Sequence, residues 1–485
     1  MFPNDASVVL GAADHEFEVA DLDECLVRAE PALERLSGAS LFLTGGTGFI
    51  GQWLLAMFGR ANETRELGLE ITVLTRSAAR FFADRPDLAF GRSLRFVEGD
   101  VRFFEFPKGR FTHVIHAAAD TSMAAESRPL ELVDTIVAGT RRVLEFALLA
   151  GVDRVLTITS GAVYGPLPLE ISAVSEDYLG AGATTERQSA YGQAKRLAEQ
   201  LATIYGTESG LRTVIARAFA FVGPRLPLDA HFAIGNFIRD AVHGRTVVVN
   251  GDGSPLRSYL YAGDLAAWLV RLLVDGEPGR AYNVGSDRLI SIGDLAALVS
   301  ATIPRSPGFK IEGSSQTGGL RSRYVPSIAR ARAELGLDVW TPLDEAIRRT
   351  ARWAMRTAGT ERGRATSPIG RNEQSTGERS LTFVVDVDGV VASLTSGNDY
   401  TLATPLASTI RLVNRLYDAG HRIVMFTARG SATGIDWTER TRAQLDAWGL
   451  KYHDLRFGKP AGDYYIDDRI MSVSELARIA DAGPV

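Results

Sequence analysis

Cysteine is almost missing from this sequence. Cys25 stands alone among 485 residues, so no intrachain disulfide can form and a cysteine-rich metal site is excluded. That scarcity suits a reducing compartment. Long apolar runs are missing too: none approaches the roughly 20 residues that cross a bilayer, so no membrane is expected as a partner. The opening residues, MFPNDASVV, have no basic stretch ahead of an apolar core, so no secretory leader is expected and a cytoplasmic location is. Nor is there an excess of one charge. Lys and Arg number 53 against 58 Asp and Glu, and the net charge of −5 recommends neither nucleic acid nor an anionic membrane. No internal repeat is visible.

What is present is a length suited to two or three domains, at an ordinary 45% hydrophobic content. Residues 1–38 are acidic. Val19, Leu22, Leu26, Leu33 and Leu36 fall roughly on one helical face, which predicts an extra helix packed on the main domain. From Ser40 short apolar segments alternate with amphipathic ones. Strands are expected at Leu41–Leu43, Ile71–Leu74, Leu94–Val97, His113–Ile115, Val155–Thr159 and Thr213–Ala216, with helices at Phe49–Arg60 and Leu130–Leu149. The alternation predicts an α/β fold built on a Rossmann-type, doubly wound parallel sheet. The run from Arg356 to Ser380 is polar and nearly free of large apolar side chains, so 356–379 reads as a linker. A second α/β pattern opens after it with the strand Leu381–Val385.

The first expected strand runs into TGGTGFIG and then a helix. Gly45, Gly48 and Gly51 make a glycine-rich turn, and Phe49 and Ile50 open the helix behind it. Glycine is needed where a pyrophosphate approaches the backbone and rests on a helix N-terminus. The strand-turn-helix context separates this turn from a chance match. At the end of the second strand, Arg76 stands where an acidic residue would bind the ribose hydroxyls of NAD. An arginine accommodates the extra phosphate of NADP, which tilts the expected cofactor, NAD or NADP, toward NADP. Asp100 is placed to meet the adenine, with Val101 beside it. The small Ala117 and Ala118 let a dinucleotide lie against the strand end.

Tyr191 and Lys195 are four residues apart, on one face of a helix. A phenol ionises near ~10, too high for a base at neutral pH. A nearby ammonium favours the phenolate, which can then take a proton from a hydroxyl while hydride leaves its carbon. A Tyr-x-x-x-Lys spacing alone is common by chance; Ser160, at the end of the fifth expected strand, supplies a third member.

TGGTGFIG, HAAA, SGAVYG and YGQAK, in that order, resemble the extended short-chain dehydrogenase/reductase family of nucleotide-sugar epimerases and dehydratases, over about residues 39–355. The resemblance implies a bound nicotinamide cofactor, a nucleotide-sugar substrate, Ser160 hydrogen-bonding the reacting oxygen, and a homodimer formed through two helices. It also implies a substrate lobe, with Arg257 on the substrate phosphates, Arg321 or Arg323 as a second clamp, and Asn236 lining the pocket. Asp264 and Asn283 read instead as structural hydrogen-bonding residues. Phe219, Phe221, Tyr259 and Tyr261 read as core. In the dehydratases acidic residues follow the position of Ser160, and in UDP-glucuronate decarboxylases a glutamate precedes the Val-Tyr-Gly. Here Gly161 and Ala162 occupy those places and cannot transfer a proton. An epimerase is therefore favoured, with a 4,6-dehydratase or a ketoreductase as alternatives.

In the C-terminal part, Asp386 and Asp388 are separated by one residue at a strand end, a spacing suited to a nucleophile and a general acid in phosphoryl transfer. Thr427 ends a later strand, Arg422–Phe426. Lys459 would neutralise phosphate, and Asp467 and Asp468 would hold Mg²⁺ together with Asp386 and Asp388. The order DxDG, FTARG, GKP, IDD resembles the haloacid dehalogenase phosphatase superfamily over about residues 380–485, in a small form without a cap, acting on a small phosphomonoester. The sequence therefore reads as a bifunctional enzyme of surface-polysaccharide biosynthesis. The alternative of another class is an NAD(P)-sensing regulatory protein with a phosphate-binding module.

Overall fold

The computed structural model describes residues 18–85, 88, 93–118, 128–168, 170–180, 182–230, 232–313, 322–364, 382–388, 390–393, 395, 399–427, 429 and 436–457. The chain divides into two compact units, Met1–Ser367 and Pro368–Val485.

The first unit is organised by a seven-stranded parallel sheet. From edge to edge its strands are Ala281–Val284, Thr213–Ala218, Arg154–Ser160, His113–His116, Ser40–Thr44, Glu70–Thr75 and Leu94–Glu98. The six expected strands are all there, each longer by one or two residues. Starting at Ser40–Thr44, the chain builds outward to Leu94–Glu98 and then returns to add His113–His116 on the other side. That reversal opens a crevice at the carboxyl ends of Ser40–Thr44 and His113–His116, where open α/β sheets bind ligands.

The helix Phe49–Arg65 is buried nearly all round, from Gly51 through Gly59. It packs against both Ala262–Asp275 and the N-terminal helix Val19–Ala29. The helix Ala190–Ser209 buries a narrower stripe: Ala194, Lys195, Ala198, Glu199 and Ala202. Helical spacing thus puts a lysine and a glutamate inside with three alanines. The helix stops at Gly210, which takes the left-handed conformation at φ +71.

The N-terminal extension packs on the main unit as expected, with two corrections. Pro31 divides it into Val19–Ala29 and Ala32–Arg35, and Val19 lies outside the buried face, at 40% exposure. Its inner side is held by polar contacts. The Tyr261 hydroxyl donates to Asp21 at 2.6 Å, Arg28 pairs with Asp264, and Asp264 also accepts from the backbone and hydroxyl of Thr341. The structural role expected for Asp264 is thereby met. The expected linker is corrected at its start: the helix Leu343–Arg364 runs through residue 356 and eight residues beyond. Residues 365–381 lie outside the described residues.

The second unit has a three-stranded parallel sheet in the order Thr382–Asp386, Arg422–Phe426, Asp454–Arg456. Val385, Val387, Ile410, Val413, Leu416, Ile423, Met425 and Leu445 form its core. The sequence pattern also predicts a strand over Tyr464–Ile466, ahead of Asp467 and Asp468, which lies outside the described residues.

Candidate active site

The glycine turn closes on the crevice. Gly45 has φ +72, and a Cβ there would stand 2.6 Å from the carbonyl carbon of Ala117 and 2.8 Å from the nitrogen of Ala118. A Cβ on Gly51 would come within 2.4 Å of Gly45 O, so this glycine lets the helix seat on the turn. Gly48 is different: a Cβ there meets only Gly45 O, at 3.4 Å. Gly48 caps the helix Phe49–Arg65 and supplies no side-chain partner for its first N–H groups. Those donors, at the positive end of a 17-residue helix, fit a pyrophosphate. Phe49 and Ile50 anchor the helix start in the core.

Around this cradle, Arg76 is exposed just past Glu70–Thr75. Asp100 is engaged within its own loop: it accepts from the backbone N, Nε and a terminal nitrogen of Arg102, each at 2.9 Å. Those hydrogen bonds hold its carboxyl below the usual range, with Arg76 adding to the effect. An adenine meeting Asp100 would share it with Arg102, a partner the sequence pattern does not reveal. Val101 fills the space beside Gly139, where a Cβ would lie 2.8 Å from it.

Ser160, Tyr191 and Lys195 converge where the strand Arg154–Ser160 meets the helix Ala190–Ser209. Ser160 ends the strand, and its Oγ accepts from Ala162 N at 3.2 Å. Lys195 Nζ donates to Ile158 O at 3.1 Å and stands 6.0 Å from the centre of the Tyr191 ring. Burial pushes the Lys195 pKa down to about 8, against the opposing charge of Glu199. Glu199 belongs to a buried network of its own: it accepts from Thr159 at 2.7 Å and pairs with Arg217 at 2.7 Å, and Arg217 donates to the Tyr164 hydroxyl at 2.8 Å. Tyr164 in turn donates to Asn283, which confirms a structural role for that asparagine. His116, between Thr44 and Thr140, is pushed down to about 3 by burial and then by Lys195.

Gly161 has a physical reason. A Cβ there would stand 2.7 Å from the ring of Phe219. That ring packs against Tyr324, with centroids 4.7 Å apart. The sequence pattern does not point to Tyr324, whose hydroxyl lies 3.3 Å from Ser160 Oγ. It pairs in register with Arg257 across the short strands Leu256–Arg257 and Arg323–Tyr324. Arg257 donates to Leu256 O and Ser322 O, and Arg323 to Ile171 O. Asn236 is half-buried on the helix Ala233–Val242 and accepts from Arg239. Arg321 lies outside the described residues.

In the second unit, Asp386 ends its strand and accepts from Val387 N at 2.8 Å. Asp388 is gripped by Arg429, which the sequence pattern did not single out: Nε donates at 3.1 and 2.9 Å and a terminal nitrogen at 2.7 Å. The remaining nitrogen of Arg429 donates to Thr441 and Gln444, and the guanidinium lies 4.8 Å from the Tyr400 ring centre. Thr427 Oγ1 is 3.5 Å from Asp388 and accepts from Arg429 N. Both Asp388 oxygens thus face Arg429 in this structure. Lys459, Asp467 and Asp468 lie outside the described residues. Among the described residues, no three His, Cys, Asp or Glu side chains form a group able to hold a metal ion, and no helix is long and apolar enough to cross a membrane.

The first unit is thus a Rossmann-type scaffold with a glycine cradle at its switch point and a Ser-Tyr-Lys set beside it. The chain belongs to the NAD dependent epimerase/dehydratase family, which matches residues 41–285, half of its length. UDP-glucuronic acid decarboxylase 1 of Arabidopsis thaliana is 29% identical over 304 residues, 62% of this chain and 66% of that protein. UDP-glucuronic acid decarboxylase 4 of the same plant is 34% identical over 214 residues, 44% of this chain and 46% of that protein. The chain therefore spans just under two thirds of the first relative and about half of the second. Among solved structures, UDP-glucose 4-epimerase of Thermotoga maritima with UDP-glucose matches with a TM-score of 0.56 at 22% identity, over 66% of this chain and 99% of that one. At that identity the likeness shows the fold alone. MoeE5 in complex with UDP-glucose and NAD matches with a TM-score of 0.54 at 26% identity, over 66% of this chain and 100% of that one.

Proposed function

We propose that the first unit oxidises and re-reduces one carbon, C4, of a UDP-linked hexose or hexuronate, acting as an epimerase. The observation that carries this reading is the Ser160, Tyr191 and Lys195 set with no carboxylate at 161 or 162 and an aromatic ring over Gly161. Tyr191 takes the proton of the sugar hydroxyl, Lys195 favours its phenolate, and Ser160 donates to the reacting oxygen. A bound nicotinamide would accept the hydride and return it. Arg257 and Arg323 would hold the diphosphate, and Asn236 would line the pocket. Arg76 favours NADP, although MoeE5 and other neighbours were solved with NAD.

The relatives' names support one rival, loss of the carboxyl group from UDP-glucuronate. Full-length protein is incubated with a panel of UDP- and dTDP-sugars and the products are read by NMR. An epimer is expected. A pentose with CO₂ makes it a decarboxylase, a 4-keto-6-deoxy sugar a dehydratase, and consumption of added NADPH a ketoreductase. No turnover with retained dinucleotide binding returns the NAD(P)-sensing reading. Cofactor released on denaturation names the dinucleotide. Light scattering tests the expected homodimer, for which the exposed Leu130, Leu149 and Leu197 on two neighbouring helices are the supporting observation.

The second unit reads as a phosphomonoesterase of the same pathway, with Asp386 as nucleophile and Asp388 as acid. The observation in its favour is the convergence of Asp388, Thr427 and Arg429 beside the end of the strand that carries Asp386. Mg²⁺-dependent hydrolysis of an aryl phosphate, lost in Asp386→Asn, is the expected result. Equal hydrolysis by the two proteins, or none by either, leaves only a phosphate-binding module.

A further inference from the structure

Ser160 can serve a reacting sugar oxygen only if its own proton points at that oxygen. A serine hydroxyl has one proton and two acceptor sites. One acceptor site is filled by Ala162 N at 3.2 Å. The second partner in reach is the Tyr324 hydroxyl, at 3.3 Å. We propose that Tyr324 is a positioning residue that donates its phenolic proton to Ser160 Oγ and thereby turns the serine proton toward the substrate. The inference rests on the hydride-transfer reading of the site.

Three observations support the direction of this hydrogen bond. A phenol is the better donor of the pair, and an aliphatic hydroxyl the better acceptor. The other acceptor for Tyr324, Ala218 O, lies 3.4 Å away, slightly farther than Ser160 Oγ at 3.3 Å. Burial pushes the Tyr324 phenol well up, so it remains a neutral donor while Tyr191 acts as the base. The residue is held from both sides. Phe219 packs on its ring, and Val325 O accepts from Val174 N at 3.0 Å. Through the register with Arg257, the segment expected to grip the substrate phosphates also carries the group that sets Ser160. Substrate docking and serine orientation would be mechanically joined.

Tyr324→Phe keeps the ring and removes only the donor. With UDP-glucose and UDP-glucuronic acid as probes, kcat is expected to fall about tenfold with KM little changed, the loss of one net hydrogen bond. Ser160→Ala is expected to cost about a hundredfold, and adding Tyr324→Phe to it should cost nothing more. Independent losses that multiply, or a Tyr324→Phe protein as fast as the parent, overturn the proposal. A crystal structure of each full-length protein reads the same point without turnover. Read by neutron diffraction on deuterated crystals, the Ser160 hydroxyl deuteron should point away from Tyr324 in the parent and lose that single direction in Tyr324→Phe; a parent Ser160 deuteron aimed at Tyr324 overturns the proposal. Should the unaltered chain turn over neither these probes nor the wider sugar panel, the hydride-transfer reading fails, while the crystal comparison still decides the role of Tyr324.

Discussion

Each unit of this protein buries one cation beside its candidate site, and the two are held in opposite ways. Lys195 gives a hydrogen bond to a backbone carbonyl, and its nearest opposing charge, Glu199, is already committed to Arg217. Arg429 is surrounded: a carboxylate takes one edge of the guanidinium, a hydroxyl and an amide take the other, and an aromatic ring covers it. A weakly paired ammonium in a dry site keeps its positive field for a neighbouring phenol, which would suit a group that favours the phenolate. A fully matched guanidinium fixes the position of its carboxylate instead. Burial of positive charge therefore tells little by itself; the partners decide whether the charge is poised or locked.

The comparison makes a sharp contrast between two like substitutions. Lys195→Met should lower turnover of the sugar substrate by about a thousandfold, while the thermal midpoint stays level or rises, because an underpaired buried charge is replaced by an apolar chain. A falling midpoint would show that Lys195 contributes to the fold after all. Arg429→Met should do the reverse to its own unit. It leaves the Asp388 carboxylate, 19% exposed, without its partner, and a loss of about 3 kcal/mol is expected. Hydrogen exchange across residues 382–457 measures it, and unchanged protection breaks the contrast.

The pH dependence should separate activity from stability. Lys195 has a folded pKa near 8 against an ordinary value of 10.5. Between those values the unfolded chain binds more protons than the folded one, so this group adds stability as pH rises through that window. Turnover should move the other way and decline above about pH 8, as the ammonium that favours the phenolate is lost. At the acid end, His113 and His116 are depressed to about 4 and about 3, chiefly by burial. The stability they carry is present above pH 6.5, their ordinary value, and drains away as pH falls below it. Urea midpoints across pH, with Lys195→Met as control, check both limbs. The smallest effect is expected at the edge of the first site: Arg76→Asp should shift the ratio of NADP to NAD affinity about tenfold toward NAD, as read by titration with each dinucleotide.

The fold of the first unit was largely legible because its signals are local. Strand ends were short by a residue or two, since pairing continues past the last apolar side chain. The strand Ala281–Val284 was not seen, because Asn283 breaks its apolar run. Its side chain is buried only because Tyr164, Val174 O and Ser327 O are there to meet it. The helix end at Arg364 is not legible in the sequence, because the run from Thr357 to Arg364 mixes Ala, Glu and Arg, which extend a helix, with Gly359 and Gly363, which disfavour one.

By itself the sequence determined the glycine turn, the Tyr191 and Lys195 spacing, the paired Asp386 and Asp388, and the lack of an acid after Ser160. All of these are matters of residue type and near neighbours along the chain. Only the tertiary structure decided what surrounds them. Tyr324 reaches Ser160 from 164 positions away, and Arg429 reaches Asp388 from 41. A hydroxyl proton's direction and a carboxylate's partner depend on distances of about 3 Å, and such distances exist only once separate stretches of chain have packed together.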